Sequence, residues 1–248
     1  MNLEGAVIVV TGGASGLGYG IAEALVQRRA RPILLDHNDE ALRAAGETLH
    51  CPTYAIELTD PEQVDKTVAG ICAAHGVPQG LINNAGILRS APLLNLLDRE
   101  QPRHSLELWH DVLNINLTAV FLMTRAVAEQ MVRVRTRGVV ISMSSISARG
   151  NAGQSAYSAA KAGVEALTRV WAKELGPLGL RFAAIAPGFI DTPSTRAALT
   201  VEALDDWKRK TPLRCLGRVE EVAQAAICIL ENDLITGTVL EVTGGLSI

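Results

Sequence analysis

The sequence predicts an α/β fold: one parallel sheet of about seven strands with helices on both faces, in a single unit over residues 1–248. Three observations predict it. Short apolar, β-branched runs alternate with amphipathic helical patterns along the whole chain, which calls for crossover connections and a sheet covered on both sides. The first run, Ala6–Thr11, ends in a glycine-rich turn that opens a helix. No linker, low-complexity segment or internal repeat divides the chain.

Taken in order, Ala6–Thr11 suits a buried parallel strand. It leads into TGGASGLGYGIAEAL, where Gly12, Gly16 and Gly18 follow the pattern T-G-x-x-x-G-x-G. Between a strand and a helix, such glycines permit a tight turn and let backbone approach a pyrophosphate. They also expose amide groups at a helix N-terminus. Gly20 lies inside that helix at a cost of about 1 kcal/mol relative to Ala, and close packing on the sheet is expected there. Pro32–Asp36 is the second strand. Asp36 at its end can accept hydrogen bonds from both hydroxyls of an adenosine ribose and would repel a 2′-phosphate. His37, Asn38 and Asp39 follow it, and Ala14 and Ser15 bring no cation to the glycine loop. NAD is therefore favoured over NADP. The competing reading has Asp36 merely capping the helix that follows. Thr53–Glu57 is the third strand, and Asp60, Pro61 and Gln63 start a helix to about His75. Gly80–Asn83 is the fourth strand and runs into Asn83-Asn84-Ala85-Gly86, where small residues would let a cofactor lie against backbone.

Arg89–Arg103 is a long irregular stretch, and loops of that length in a compact domain are often functional. Leu93, Leu94, Leu96 and Leu97 read either as the mouth of a substrate site or as core. Arg89, Arg99 and Arg103 read either as ligands for an anionic tail or as solvated charges. Ser105 caps a long helix whose apolar face is interrupted by Asn114 and Asn116. Asn is a poor mid-helix residue, so one of the two is expected to hold a specific hydrogen bond. The strand from Val139 ends at Ser144, and a glycine-rich loop leads to a helix from Tyr157 to about Leu175. Tyr157 and Lys161 are four apart and share one helix face. A hydroxyl at a strand end facing that pair is an arrangement for proton transfer, although each part alone is common on ordinary turns and helices. Leu180–Ile185 is the next strand, ended by APGFIDTP at 186–193. Ser194–Pro212 reads as a lid over the strand ends, within a segment of about 189–213. Val219–Leu230 is a helix and Thr238–Val242 the last strand.

The formal net charge of −3 leaves no basic footprint for nucleic acid. Hydrophobic residues at 48% and charged residues at 20% fit a globular protein, and no run is expected to span a bilayer. The start at Met1 shows no charged and apolar leader, so a cytoplasmic location is expected. Cys51, Cys72, Cys215 and Cys228 are scattered, and His37, His50, His75, His104 and His110 lack ligand spacing, so no metal is expected. His104 and His110 are expected to be solvated beside the helix start.

Together these residues resemble the short-chain dehydrogenase/reductase family in its single-domain form, over nearly the whole chain. The resemblance rests on Thr11–Gly18, Asn83–Gly86, Asn116, Ser144, Tyr157-Ser158-Ala159-Ala160-Lys161, and Pro187-Gly188 with Thr192. It implies a Rossmann-type sheet of seven strands and a homo-oligomer, a tetramer or a dimer, built through the two long helices. It also implies interconversion of a small-molecule secondary alcohol and a ketone with NAD. Tyr157 would be the acid/base. Lys161 would favour its phenolate, against a free value near ~10, and hold the nicotinamide ribose. Ser144, thirteen residues before Tyr157, would fix the substrate oxygen, and Asn116 would anchor a water of a proton relay. Cofactor contacts would come from Gly12, Ser15, Gly16, Leu17, Gly18, Asp36, Leu58, Asn84, Ala85, Gly86, Tyr157, Lys161, Pro187, Gly188, Ile190 and Thr192. Glu57, Thr243 and Ala183 depart from the pattern, and only Glu57 touches an expected contact, that with adenine. The 89–103 segment is similar to the insertion of type II 3-hydroxyacyl-CoA dehydrogenases. A 3-hydroxyacyl or 3-oxoacyl thioester is the first substrate expectation, and a steroid or small cyclic alcohol the second. A non-catalytic dinucleotide sensor or scaffold is disfavoured by the intact Asn116, Ser144, Tyr157 and Lys161.

Overall fold

The computed structural model describes residues 1–198 and 200–248; Leu199, inside the expected lid, lies outside the described residues. The strands are β1 (Val7–Thr11), β2 (Arg31–Asp36), β3 (Thr53–Ala55), β4 (Gly80–Asn83), β5 (Gly138–Met143), β6 (Leu180–Pro187) and β7 (Thr238–Val242). They pair in parallel in the order β3-β2-β1-β4-β5-β6-β7. The order reverses between β1 and β4, which opens a crevice at the C-terminal ends of these two strands.

The helices are α1 (Gly16–Gln27), α2 (Asp39–Leu49), α3 (Pro61–His75), α4 (Leu106–Leu113), α5 (Ala119–Arg133), α6 (Ser155–Leu175), α7 (Pro193–Ala198), α8 (Val201–Lys210) and α9 (Val219–Glu231). Alternate strand residues point to opposite faces, so the buried sheet feeds two cores. Ile8, Val10, Leu34, Ile141 and Ile185 pack with α1, α2 and α9 through Ile21, Leu25, Leu42 and Val222. Val9, Ile33, Leu81, Val140 and Phe182 pack with α3, α5 and α6 through Val64, Ile71, Met123, Val164 and Trp171. Asp60 caps α3 by accepting from the backbone of Glu62 and Gln63, as its Asp-Pro start requires.

Four expectations are corrected. β3 stops at Ala55, because Glu57 turns its carboxylate onto the backbone and hydroxyl of Thr59 at 3.1 and 2.8 Å and leaves the ladder. Gly20 makes room for a helix rather than the sheet: a Cβ there would lie 2.1 Å from Val219 Cγ1 of α9. One run does reach membrane-spanning length and composition, since Leu106–Arg133 continues for 28 residues with a mean hydropathy of 1.2 over its best window. Much of that window (56%) is buried within the protein, with Asn116 fully buried inside it, which marks a core helix. His104 is not simply solvated: its ring packs edge-on against Trp109 at 6.3 Å, and its Nε2 is buried without a protein partner.

Candidate active site

The crevice collects the C-terminal ends of β1 through β6. After β1, Gly16 stands at φ +56° with open space where a side chain would project, and Gly18 passes so close to the preceding turn that a Cβ would meet the Gly12 carbonyl at 2.1 Å. The first conformation favours glycine, and the second contact leaves no room for any other residue. Ser15 takes the N-cap position of α1 without a side-chain cap bond, and the first turn carries no acidic residue, so the amides of Leu17 and Gly18, ahead of the Tyr19 amide that bonds the Ser15 carbonyl, remain available to an anion. Asn84 secures this loop from β4, donating to the carbonyls of Thr11 and Gly12 at 3.1 Å each. Thr11 Oγ1 in turn accepts from the amides of Asn84 and Ala85 at 3.0 and 3.1 Å.

Asp36 ends β2 beside this loop. Its carboxylate is 11% exposed and accepts from the amide of Ala14 at 3.2 Å and of Asn38 at 3.1 Å. Asp36 is therefore not the cap of α2. That position belongs to Asn38, whose side chain accepts from Ala41 at 3.1 Å. Leu58, just beyond β3, is buried in the core at the same edge.

On the other side of the crevice, α4 passes through a π turn at Asn114–Thr118 into α5. Such turns recur where a helix serves a functional site. The turn brings Asn116, not Asn114, into the interior. Asn116 Nδ2 donates to the carbonyls of Ile87 and Val112 at 2.9 and 3.0 Å, while Oδ1 is buried with no protein partner. Oδ1 faces Gly86, where a Cβ would stand 2.6 Å from it and 3.6 Å from Lys161 Nζ. An orphaned acceptor and an ammonium thus share one small-residue gap, which fits a water-linked relay.

Lys161 is buried, and its Nζ donates to the Met143 carbonyl at 2.7 Å and lies 5.6 Å from the Tyr157 ring centre. Burial pushes its pKa from 10.5 down to about 8. Because the folded value is the lower one, the unfolded chain holds this proton longer, and stability rises with pH between about 8 and 10.5. Relative to Lys161→Met, the wild type is expected to gain on the order of 2 kcal/mol between pH 7 and 10 in urea unfolding. A constant difference across that range would show that the ammonium is not desolvated.

The serine beside Tyr157 is Ser145, and this corrects the expectation for Ser144. Ser144 is buried, and its hydroxyl donates to Glu165 Oε1 at 2.9 Å, beneath α6 and away from the crevice. Strand alternation explains the outcome: Ser142 and Ser144 point to the face covered by α5 and α6, where Ser142 Oγ meets Asn83 Nδ2 at 3.3 Å. Ser145 leaves the sheet in extended geometry, accepts from the Ser147 amide at 3.1 Å, and lies beside the Tyr157 phenol. Burial raises the Tyr157 pKa and the neighbouring Ser145 hydroxyl opposes the rise.

The remaining expected contacts follow β6. Pro187 ends the strand, Gly188 donates to the Val242 carbonyl at 2.9 Å, and buried Ile190 bridges to Gly217. Thr192 Oγ1 pairs with Thr195 Oγ1 at 2.9 Å at the start of α7. Phe189 stacks on Trp207 of α8 with ring centres 3.9 Å apart, which seats the described part of the lid segment on the strand end. Opposite it, residues 89–103 fold as a small hairpin with an isolated bridge between Leu94 and Arg103. Its foot is tied beside α6, since Ala91 bridges to Gln154. The leucines are not core: Leu93, Leu94, Leu96 and Leu97 are all exposed, Leu97 at 95%. Arg89 is engaged in a pair with Asp111 at 2.9 Å. Among the described residues, no cluster of three or more His, Cys, Asp or Glu could hold a metal ion.

A glycine-lined loop at a helix N-terminus, a carboxylate at the end of β2 and a Tyr–Lys pair at the end of β5 define a dinucleotide-dependent oxidoreductase site. A family model described as enoyl-(acyl carrier protein) reductase matches residues 12–247, and the chain belongs to the short-chain dehydrogenase/reductase family. It is an oxidoreductase of CH–OH and keto groups, in a family that uses a nicotinamide cofactor. Among its relatives, the 3-oxoacyl-[acyl-carrier-protein] reductase FabG of Thermotoga maritima is 36% identical over 255 residues, covering 100% of each chain. A short-chain type dehydrogenase/reductase from Mycobacterium ulcerans matches with a TM-score of 0.91 at 27% identity, covering 99% of this chain and 90% of its own. A Brucella melitensis structure described as ribose-5-phosphate isomerase matches at 0.89 and 29% identity, covering 98% and 93%. One fold under such different names shows why the activity must be argued from the site.

Proposed function

We propose that this protein interconverts 3-oxoacyl and 3-hydroxyacyl thioesters with NAD(H), and that Tyr157 exchanges the proton at the substrate oxygen. The observation that carries the reading is the buried Lys161 ammonium, 5.6 Å from the Tyr157 ring centre and sharing one gap with the unpartnered Asn116 Oδ1, with Ser145 beside the phenol. Two hydroxyls at one place can hold a carbonyl oxygen and deliver a proton to it. The Lys161 ammonium favours the phenolate that remains, and Asn116 Oδ1 would hold by hydrogen bond a water that returns a proton from solvent. When bound, the dinucleotide supplies the hydride for the carbonyl carbon. The residues present fit it: the glycine loop and the N-terminus of α1 for the pyrophosphate, Asp36 for the adenosine ribose, Lys161 for the nicotinamide ribose, and Ile190 and Thr192 for the carboxamide.

The thioester reading draws on the names of the relatives and on the four exposed leucines, whose hairpin is anchored three residues before Tyr157. Apolar side chains at the rim suit an acyl chain better than a small polar ketone. A steroid or small cyclic alcohol is the second substrate class. Assaying NADH oxidation with 3-oxoacyl thioesters of increasing chain length beside cyclic ketones separates the two. A rate confined to the cyclic compounds would overturn the first.

NAD preference rests on the Asp36 carboxylate. Two charge-assisted bonds to ribose hydroxyls correspond to about 100-fold in kcat/KM for NADH over NADPH, and Asp36→Ala is expected to remove most of it. A wild-type preference for NADPH would overturn the assignment. We also propose a cytoplasmic location, as the sequence expectation has it, and a homotetramer, because Phe121 of α5 and Val170 of α6 remain exposed on the two long helices. Light scattering is expected to read four chains, and a monomer would refute it.

A further inference from the structure

Two side chains of α6 grip consecutive residues at the end of β5, and only one of them has a role above. Lys161 Nζ donates to the Met143 carbonyl at 2.7 Å. One turn further along, Glu165 Oε1 accepts from the Ser144 hydroxyl at 2.9 Å. The next residue in the chain is Ser145. Resting on the reading of Ser145 and Tyr157 above, we propose that Glu165 is a positioning residue: by holding Ser144 it fixes the direction in which the chain leaves β5, and so the place of the Ser145 hydroxyl beside Tyr157.

Tyr157, Lys161 and Glu165 recur every four residues and form one stripe along α6. Glu165 is largely buried, with its side chain 19% exposed. A carboxylate in such a place is costly unless it is hydrogen-bonded. Beyond Ser144, Glu165 pairs with Arg169, at 3.4 Å and half exposed. The Ser144 hydroxyl has one other acceptor, the Lys161 carbonyl at 3.5 Å, which is at the limit of a hydrogen bond. Glu165 is therefore the partner that sets its direction. The Ser144 amide is fixed from the opposite side, donating to the Ile185 carbonyl of β6 at 2.7 Å. Ser144 is thus held by backbone to the sheet and by side chain to the helix that carries Tyr157. Ser145 and Glu165 line the same small cavity beneath the C-terminal residues 246–248, which places the grip next to the hydroxyl it serves. A displacement of about 1 Å at a reacting group can cost ~10²-fold, so a loosened grip is expected to show in turnover before it shows in folding.

The test compares Glu165→Ala, Glu165→Gln, Ser144→Ala and the double alanine variant. Glu165→Ala and Ser144→Ala are each expected to lower kcat about 10-fold, with KM and dinucleotide affinity within about 2-fold. The double variant is expected to lose no more than either single one, because both remove the same bond. Glu165→Gln keeps an acceptor and is expected to recover kcat to within about 3-fold of wild type. If Glu165→Ala does not fold, Ser144→Ala removes the bond from its other end. A substrate-free readout is the alkaline absorbance titration of the Tyr157 phenol, taken as the difference from Tyr157→Phe. It is expected to move to higher pH in Glu165→Ala and Ser144→Ala and to stay in place in Glu165→Gln. If no ketone is turned over by the wild type, the proposed activity fails and this titration alone judges Glu165. An unmoved phenol in the alanine variants, multiplying losses in the double variant, or a Gln variant no better than Ala would overturn the proposal.

Discussion

Tyr157→Phe is expected to lower kcat for ketone reduction by about 10³-fold while leaving dinucleotide affinity within about 3-fold. The phenol has a proton to give and sits beside a second hydroxyl, Ser145. Removing its oxygen leaves the ring, its packing and the glycine loop across the crevice unchanged. The loss therefore falls on the proton transfer and not on binding, and it appears in kcat and kcat/KM together. Lys161 remains buried and bonded to the Met143 carbonyl in that variant, so its hold on the cofactor is expected to persist. A Phe variant that keeps the wild-type rate would remove Tyr157 from the chemistry. One that loses dinucleotide binding to the same degree as turnover would make Tyr157 a binding residue.

Ser145→Ala is expected to cost about 10²-fold in kcat, the loss typical of one preorganised donor at a developing oxyanion. The contrast with its neighbour is the informative part. Ser144→Ala takes away a hydroxyl that points at Glu165 beneath α6, and its smaller expected loss of about 10-fold is indirect. Equal losses for the two serines, or a larger one for Ser144, would restore the thirteen-residue spacing as the guide to the substrate-binding hydroxyl.

That contrast also shows what the sequence carried. The strands were legible because each is a short apolar run ended by turn residues, and β4 and β7 begin and end where those residues say. The capping pattern of Asp60 and Pro61 located α3 for a local reason that no tertiary contact had to confirm. The glycine turn, Asp36, Asn116, Tyr157 and Lys161 were legible because each stands at a strand end or on one helix face, and strand order alone brings them to one crevice. The choice between Ser144 and Ser145 was not legible by counting back from Tyr157, because the length of the loop before α6 sets that count. Alternation along β5 carried the signal: Ser142 and Ser144 share a face, and that face is covered by helix. The exposure of Leu93 to Leu97 was equally hidden, since leucine in an irregular segment packs inward unless the hairpin holds it out. The contact of Gly20 with Val219 joins residues far apart in the chain, and only the packing of α1 on α9 reveals it.

This crevice is expected to reduce a carbonyl, with Tyr157 and Ser145 at its oxygen. The most direct measurement follows NADH absorbance with a 3-oxoacyl thioester and, side by side, with the 2-enoyl thioester of the same chain length, because relatives and family model carry names for both reactions. Wild type is expected to oxidise NADH with the 3-oxoacyl compound at least about 100-fold faster than with the enoyl compound, a gap of roughly 3 kcal/mol in the barrier. Faster turnover of the enoyl thioester, or tight NADH binding with turnover of neither, would contradict it.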